Sequence, residues 1–244
     1  MKFNISAFSH IGTQREINQD YILVNGQAFN KGFHHCSGTS GVVCFVADGI
    51  GGNNAGEYAP EWVARALSKE QTANINTDTL HKINNELLKN TNDNPALFGA
   101  ATTLTGLVVT NDTFNVYHAG DSALWLLRND LLFKVTIDQV LDETQSNSPL
   151  VSYFGGTTDK LELQEMFSIK ESLPGDIFLL CSDGLIKSVK VKEIKSILLS
   201  AQSLAEKSHQ LLKTSLDHAA NDNISAVIIE HINVPERNIS FNNE

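Results

Sequence analysis

The stretch that most constrains this chain is residues 42–57, an apolar run that ends abruptly in an acid and a group of glycines. Residues 42–47 (VVCFVA) are all apolar, which predicts a strand buried on both faces of a sheet. Asp48 follows directly, and Gly49, Gly51 and Gly52 let the backbone turn sharply beside it before a helical pattern begins. A carboxylate at the end of a buried strand loses much of its hydration, so it must be paired with a cation or bound to one.

The same arrangement of an acid at the end of an apolar run recurs along the chain. The further examples are Asp20, Asp121, Asp183 and Asp222. Taken singly, each is as well explained as a turn or cap residue. Five such carboxylates together favour convergence on one cation site, because buried carboxylates are tolerated where they coordinate metals.

The donors in this set are all oxygens, which favours a hard cation such as Mg²⁺ or Mn²⁺ over Zn²⁺. A competing zinc interpretation rests on His34, His35, Cys36 and Cys44, whose spacing fits no standard set of zinc ligands. Cys44 and Cys181 lie in apolar runs. We expect both to be small buried side chains rather than nucleophiles or disulfide partners.

Length and charge limit the remaining possibilities. The chain has 244 residues and a formal net charge of −10, which disfavours a nucleic-acid partner and an anionic membrane surface. No apolar run approaches the length of a membrane span, and residues 1–11 lack a signal-peptide core, so we expect a cytoplasmic protein that acts as a monomer. The chain shows no repeat or low-complexity linker, which predicts one domain over residues 1–232 and a polar tail over residues 233–244.

The order of predicted elements is strands, two helices, many strands, more helices and a final strand. Helices and strands segregated in this way indicate an α+β fold built on antiparallel sheets rather than alternating βαβ units. The predicted elements are a half-exposed strand at 3–10, a strand at 21–24, a loop at 30–41, helices at 57–69 and from Asp78, an antiparallel meander over 101–135, a strand at 177–182, helices at 191–199 and 203–216, and a strand at 223–230.

Six short motifs occur in order between residues 6 and 229. They are Arg15-x-x-Asn18-Gln19-Asp20, Asp48-Gly49-x-Gly51-Gly52, Gly99-Ala100-Ala101-Thr102-Thr103, Gly120-Asp121-Ser122, Cys181-Ser182-Asp183-Gly184-Leu185 and Asp222-Asn223-Ile224. Each motif is weak alone. In this order and spacing they resemble the motif series of the metal-dependent serine/threonine protein phosphatases of type 2C.

The resemblance implies a four-layer α-β-β-α sandwich of two antiparallel sheets flanked by helices, with two Mn²⁺ or Mg²⁺ ions at one edge of the sheets. It also implies residue roles. Asp48 would bridge the two metals, and the Gly49 carbonyl would bind the second. Asp183 and Asp222 would hold the first metal. Asp20 and Gln19 would lie beside the second, and Arg15 would bind the substrate phosphate.

The reaction implied by the resemblance is hydrolysis of phosphoserine and phosphothreonine in proteins. A hydroxide that bridges the two metals would attack phosphorus directly, so no phosphoenzyme would form. The implied partners are Ser/Thr-phosphorylated proteins and a cognate Ser/Thr kinase. Ile50 stands where some members carry a histidine, and an apolar residue there is typical of bacterial members.

Other positions depart from the family pattern. Gln19 replaces a glutamate found in many members, and an amide coordinates a cation more weakly. Lys187 stands where many members place an aspartate that holds a third metal together with the counterpart of Asp121. We therefore expect no third metal and treat Asp121 as a weaker ligand candidate. Residues 140–149 are short for the family's flap over the site.

Gln19 and Lys187 motivate an alternative, in which the chain is a catalytically weak or inactive relative that binds phosphoproteins as a regulatory module. Retention of Asp48, Asp183 and Asp222 favours the enzyme. A haloacid-dehalogenase-type phosphatase is excluded, because neither Asp48 nor Asp183 is followed two residues later by a second aspartate.

Overall fold

The apolar run of residues 42–47 forms a strand inside a six-stranded sheet, in a computed structural model that describes residues 1–50, 55–110, 113–145, 148–166 and 172–232. The motif glycines Gly51 and Gly52 and the predicted polar tail, residues 233–244, lie outside the described residues. Among the described residues, no helix combines the length and the apolar composition needed to cross a membrane.

Strands and helices alternate in blocks along the described chain. The strands are β1 (Lys2–His10), β2 (Tyr21–Val24), β3 (Gln27–Phe29), β4 (Gly32–Thr39), β5 (Val42–Ala47), β6 (Gly49–Ile50), β7 (Ala101–Thr102), β8 (Leu104–Thr110), β9 (Thr113–Ala119), β10 (Ala123–Arg128), β11 (Leu131–Lys134), β12 (Phe154–Gly155), β13 (Gln164–Met166), β14 (Ile177–Cys181) and β15 (Ile224–Ile232). The helices are α1 (Tyr58–Leu67), α2 (Thr77–Asp93), α3 (Asp183–Ser188), α4 (Val191–Leu199) and α5 (Leu204–Asp217).

Two six-stranded antiparallel sheets form the centre of the molecule. Their strand orders are β11-β10-β14-β15-β1-β4 and β13-β9-β8-β5-β2-β3. One apolar cluster lies between the sheets, a second lies between the β5 sheet and helices α1 and α2, and a third lies between the β14 sheet and helices α3 to α5. Three buried interfaces require four layers, so the predicted α-β-β-α sandwich is confirmed.

Strand β1 is more buried than its alternating pattern predicts. Its apolar residues Phe3, Ile5 and Ala7 face the cluster between the sheets, while Phe8 belongs to the cluster under α3 to α5. The intervening Ser6 is also buried and donates a hydrogen bond to the Ser208 hydroxyl of α5 at 2.7 Å. The half-exposed prediction is wrong, because helix α5 covers the face on which Ser6 and Phe8 lie.

Two other local predictions are wrong. Residues 30–41 contain strand β4, which pairs with β1 at the edge of a sheet. Its first residues alternate between half-buried and exposed, but the exposed ones include the apolar Phe33 as well as His35, so the sequence shows no polar–apolar alternation. Helix α2 begins at Thr77, one residue before Asp78. Asn76 caps it, accepting a hydrogen bond from the Thr79 amide at 2.9 Å.

The predicted meander over residues 101–135 is divided between the two sheets. Strands β8 and β9 pair in the β5 sheet, and β10 and β11 pair in the β14 sheet. The chain changes sheets at Gly120, whose φ of 107° is outside the range of most other residues. Asp121 therefore lies where the two sheets meet, a placement that short-range turn signals do not reveal.

Candidate functional site

The predicted carboxylates converge on one edge of the sandwich. Asp48 follows β5, Asp183 opens helix α3 after β14, Asp222 precedes β15, and Asp121 lies between β9 and β10. A cavity of about 300 Å³ at this edge is lined by seven of the eight predicted site residues: Arg15, Gln19, Asp48, Gly49, Asp121, Asp183 and Asp222. The eighth, Asp20, is fully buried and raises the pKa of Asp48 through its negative charge.

The backbone of Asp48 is held by two consecutive threonines. Its N–H donates to the Thr103 hydroxyl at 3.0 Å, and its carbonyl accepts from the Thr103 N–H and the Thr102 hydroxyl, both at 2.9 Å. The Thr103 hydroxyl also lies 2.8 Å from that of Ser122, beside Asp121. Residues 102–103 thus position the acid at the end of β5 and connect it to the crossing between the sheets.

Substituting Thr103→Val should lower the free energy of unfolding by about 2 kcal/mol, because it leaves the Asp48 N–H and the buried Ser122 hydroxyl without this partner. Urea unfolding of the purified variant would measure the loss. Thr103→Ser keeps the hydroxyl and should recover most of the stability. Equal destabilisation by both substitutions would show that the methyl group, rather than the hydrogen bonds, is responsible.

Asp20 lies beneath the cavity with only one of its carboxyl oxygens paired. Oδ2 accepts a hydrogen bond from the Ser182 hydroxyl at 2.7 Å, while Oδ1 is buried and has no hydrogen-bond partner. Burial raises the pKa of Asp20 to about 7, and the negative charges of Asp183 and Asp222 add to the effect. An unpaired buried carboxyl oxygen among other acids is an acceptor for a cation or for a bound water.

The segment 11–19 is tied to the Asp222 end of the site by a residue to which the sequence assigned no role. The Asn223 side chain accepts from the Gln19 N–H at 2.9 Å and donates to the carbonyls of Ile11 and Ile17 at 2.9 and 3.0 Å. The sequence does contain a signal for Asn223. In the motif Asp222-Asn223-Ile224, a polar amide stands directly before a buried strand. Asn223 thereby positions Gln19 and the segment that carries Arg15.

Arg15 and Lys187 are the cations that contact the acids of the cavity. An Arg15 terminal nitrogen lies 2.8 Å from Asp222 Oδ1, and the Lys187 ammonium lies 2.5 Å from Asp183 and 3.3 Å from Asp222. The charges of Asp183 and Asp222 keep the pKa of Lys187 above its ordinary value, although partial burial opposes this. Lys187 therefore stays positively charged at the site.

Close backbone approaches explain two of the motif glycines. A Cβ on Gly49 would lie 2.2 Å from the Gly56 carbonyl oxygen, and one on Gly184 would lie 1.9 Å from the Asn223 carbonyl oxygen. Both contacts would be with backbone oxygen atoms, which cannot be displaced by rotating a side chain. The small residue after each acid thus lets a neighbouring strand or turn approach the site.

The acids that line the cavity repel one another. Burial raises the pKa of Asp48 well above its ordinary value, and the charges of Asp20, Asp183, Asp121 and Asp222 raise it further. Burial also raises the pKa of Asp121 to about 6, with Asp183 and Asp138 contributing. An excess of buried negative charge of this kind favours protons or bound cations.

The donor set fits a hard divalent cation, because carboxylate and backbone carbonyl oxygens surround the cavity and one buried carboxyl oxygen is unpaired. In the part of the chain that the structure describes, no three histidine, cysteine, aspartate or glutamate side chains have the geometry to hold a metal ion as they stand. Lys187 contacts Asp183 and Asp222, so binding a cation there requires these side chains to turn away from the ammonium.

The residues behind the zinc interpretation make other contacts. The His35 ring is hydrogen-bonded to Ser6 at 2.8 Å and stacks near Phe33, whereas Cys44 is fully buried in β5. His118, close to Asp121 in sequence, is also buried. Its ring nitrogens lie 2.8 Å from the Thr105 hydroxyl and 3.0 Å from the Ile137 carbonyl, and burial lowers its pKa to about 4.

Comparisons with known proteins agree with the site. The sequence model of a family described as "Protein phosphatase 2C" matches residues 10–226. The serine/threonine phosphatase Stp of Listeria innocua is 28% identical over 230 residues, which cover 81% of this chain and 90% of that protein.

Solved structures show the same fold. The serine/threonine phosphatase PstP/Ppp of Mycobacterium tuberculosis matches with a TM-score of 0.76 at 25% identity, over 96% of this chain and 100% of the other. PppA of Pseudomonas aeruginosa matches with a TM-score of 0.75 at 25% identity, over 94% and 98%. The family match includes every predicted site residue from Arg15 to Asp222, and this chain belongs to the protein phosphatase 2C family.

Proposed function

We propose that this protein is a metal-dependent phosphatase that hydrolyses phosphoserine and phosphothreonine in proteins. The observation that carries the proposal is the convergence of Asp48, Asp121, Asp183 and Asp222 on one cavity, above the unpaired carboxyl oxygen of Asp20. The relatives Stp and PstP/Ppp favour the enzyme over a phosphoprotein-binding module, since both are serine/threonine phosphatases.

In this proposal the acids hold two divalent cations, Mn²⁺ or Mg²⁺. Asp48, Asp183 and Asp222 would hold the first cation, and Asp48 and the Gly49 carbonyl would hold the second, with Gln19 and Asp20 beside it. When bound, such cations supply a nucleophilic oxygen near neutral pH and neutralise charge on the phosphoryl group. Thr102 and Thr103 keep Asp48 in place for this role through their hydrogen bonds to its backbone.

Arg15 is proposed to bind the substrate phosphate. Its side chain is 48% exposed at the mouth of the cavity, and Asp222 Oδ1 orients one end of its guanidinium. A planar guanidinium contacts two phosphate oxygens at once and neutralises charge that develops on them. Segment 11–19, fastened by Asn223, sets the direction in which Arg15 points.

The cysteines are unsuited to covalent catalysis. Cys44 and Cys181 are fully buried in β5 and β14, and burial raises the pKa of the Cys181 thiol to about 12. A thiol of that pKa holds almost no thiolate near neutrality. This supports direct attack on phosphorus over a route through a cysteinyl phosphate.

Replacing Arg15→Lys should lower kcat/KM for a phosphothreonine peptide by about 10- to 100-fold, because lysine keeps the charge but loses the two-pronged contact. Steady-state kinetics at saturating Mn²⁺ would measure this change. Arg65→Lys, at an exposed arginine of α1, is the matched control and should leave the kinetics unchanged. An Arg15→Lys enzyme with normal kcat/KM would remove Arg15 from phosphate binding.

Release of phosphate from phosphoserine and phosphothreonine peptides tests the activity itself. The purified chain should turn over both peptides with Mn²⁺, and excess EDTA should abolish turnover. Phosphopeptide binding by calorimetry without any turnover would instead support the regulatory-module alternative.

The partner class follows from the reaction, since the substrates are phosphorylated proteins. Four further points remain predictions from the sequence. They are a Ser/Thr kinase that modifies the same proteins, two bound metals, a monomeric state and a cytoplasmic location. Lys187 argues against a third metal at Asp121, because its ammonium contacts the neighbouring acid Asp183.

A further inference from the structure

A second cavity adjoins the candidate active site. It has a volume of about 450 Å³, and it shares Asp121 and Asp183 with the first cavity. Its other side is formed by residues 138–145 and Ser148, which follow the crossing between the sheets, and by helix α3. A substrate segment that places its phosphate in the first cavity therefore passes directly beside the second.

A short hairpin separates the two cavities. Val140 and Leu150 form an antiparallel bridge, and hydrogen bonds of 2.9 Å on either side join Leu141 to Pro149 and Val151 to Gln139. Val140 lines the second cavity, while Leu150 lines the first. One cross-strand pair thus forms the apolar wall between the phosphate site and its neighbour.

The hairpin is anchored to the sheet crossing by Gln139. Its backbone N–H donates to the Gly120 carbonyl at 2.8 Å, and its side-chain oxygen accepts from the Gly120 N–H at 2.9 Å. Its side-chain amide donates to the Glu162 carbonyl at 2.7 Å. The wall is therefore held in place by hydrogen bonds to the residue before Asp121.

The lining of the second cavity combines an apolar surface with an excess of negative charge. Ala123, Val140 and Ile186 supply the apolar surface. The two lysines in the lining already have acidic partners, Lys134 with Asp138 at 2.5 Å and Lys187 with Asp183 at 2.5 Å. Glu143 also lines the cavity, and the structure gives it no hydrogen-bond or ion-pair partner among the described residues.

A local turn over residues 142–145 holds the backbone around Glu143. The Asp142 carboxylate accepts hydrogen bonds from the Thr144 N–H at 2.9 Å and the Thr144 hydroxyl at 2.6 Å, and its other oxygen accepts from the Gln145 amide at 2.6 Å. Both carboxyl oxygens of Asp142 therefore accept hydrogen bonds within the turn. Glu143 lies between these residues and takes no part in these hydrogen bonds.

We propose that the second cavity is a specificity subsite for a lysine or arginine side chain of the phosphorylated substrate, close in sequence to the phosphoserine or phosphothreonine. The alkyl stem of that side chain packs on Val140 and Ile186, and its cationic end pairs with Glu143. Lysine and arginine suit such a site because they bury their methylene groups along apolar surface and keep the charge at the tip. The inference rests on the proposed phosphatase function and names part of its substrate class.

The expected distance along the substrate is short. An extended peptide advances roughly 3.3 Å per residue, and side chains two positions apart project to the same side. Because the cavities share walls, a basic residue within about two positions of the phosphoresidue reaches the second one. Partly exposed charge pairs contribute modestly, so we expect a preference of about threefold to tenfold in kcat/KM over an uncharged residue.

The test is a set of phosphothreonine peptides with Lys, Gln or Glu at each of the three positions on either side of the phosphoresidue. At one position the wild-type protein should prefer Lys over Gln and Gln over Glu. Glu143→Gln should remove that preference, and Glu143→Lys should reverse it in favour of Glu. Glu86→Lys, at an exposed position of α2, is the matched charge control and should leave the preference intact.

Hydrolysis of p-nitrophenyl phosphate separates failure of this inference from failure of the proposed function. This small substrate does not reach the second cavity, so each Glu143 variant should turn it over at the wild-type rate. A wild-type preference that persists in Glu143→Lys, or no preference at any position, would overturn the subsite. If the wild-type protein hydrolyses no phosphate ester, the proposed function fails, and fluorescence anisotropy with the same peptides and variants still decides the subsite by the same charge reversal.

Discussion

Replacing Asp48→Asn should reduce kcat for a phosphothreonine peptide at saturating Mn²⁺ by at least about 1,000-fold. Asp48 is the acid proposed to contribute to both cations. An asparagine keeps the size and the hydrogen bonds of the backbone to Thr102 and Thr103, so the change removes mainly one negative charge. Phosphate release with each peptide would measure the effect.

The same substitution should leave the fold at least as stable in EDTA. Burial and four neighbouring aspartates raise the pKa of Asp48, which means that its ionised form is disfavoured in the folded protein. Thermal unfolding should therefore show an equal or higher Tm in EDTA, together with loss of most of the Tm increase that Mn²⁺ gives the wild-type protein. Asp130→Asn, in the exposed β10–β11 turn, is the charge-matched control. Normal Mn²⁺-dependent turnover by Asp48→Asn would contradict the proposed metal site.

In EDTA, ionisation of Asp20 should lower the free energy of unfolding of the wild-type protein as the pH rises from about 4 to about 7. Burial raises the folded-state pKa of Asp20 from 3.8 to about 7, so the folded state holds this proton more tightly than the unfolded state does. The resulting stabilisation is fully present below the unfolded pKa and disappears as the pH passes the folded pKa. Asp121, with a pKa raised to about 6, contributes in the lower part of the same range.

Comparison with Asp20→Asn isolates this effect from all other titrating groups. An asparagine oxygen can still accept the Ser182 hydrogen bond but does not titrate. The difference in free energy of unfolding between wild type and variant should change by an amount on the order of 4 kcal/mol between pH 4 and pH 7, measured with urea. Mn²⁺ should counteract the loss, because it binds the ionised carboxylates and competes with protons. A difference that is constant across this range would mean that Asp20 titrates normally.

Much of this protein was predictable from local patterns. The run 42–47 is apolar throughout because β5 is covered on both faces, by the other sheet and by α1 and α2. The same reasoning correctly placed β14, β15 and the helices α4 and α5. Strand β4 was not predicted, because an edge strand needs no apolar alternation. The prediction of one continuous meander over residues 101–135 was wrong, because turn residues do not determine which sheet the next strand joins.

The candidate site was also predictable from local sequence patterns only in part. The acids at the ends of apolar runs, and the motif order that indicated the family, were visible in the sequence because burying a carboxylate beside a strand needs a compensating partner. The roles assigned to Asp48, Gly49, Asp183, Asp222, Asp20, Gln19 and Arg15 remain predictions until they are tested. The structure adds two supporting residues: Asn223, which bonds Gln19, and Ser182, which bonds Asp20, each more than 150 positions away in sequence.

What the sequence determined by itself is the set of chemical groups: oxygen donors at strand ends, an arginine, and a lysine in place of an acid. Their identity is local information, because hydrophobic pattern and residue type are properties of short segments. Only the tertiary structure decided which groups meet. Lys187 contacts Asp222 because α3 and the start of β15 are adjacent in space, and the hairpin that carries Glu143 reaches Asp121 because Gln139 is bound to Gly120. Those contacts depend on how two sheets stack, and no short segment of the chain contains that information.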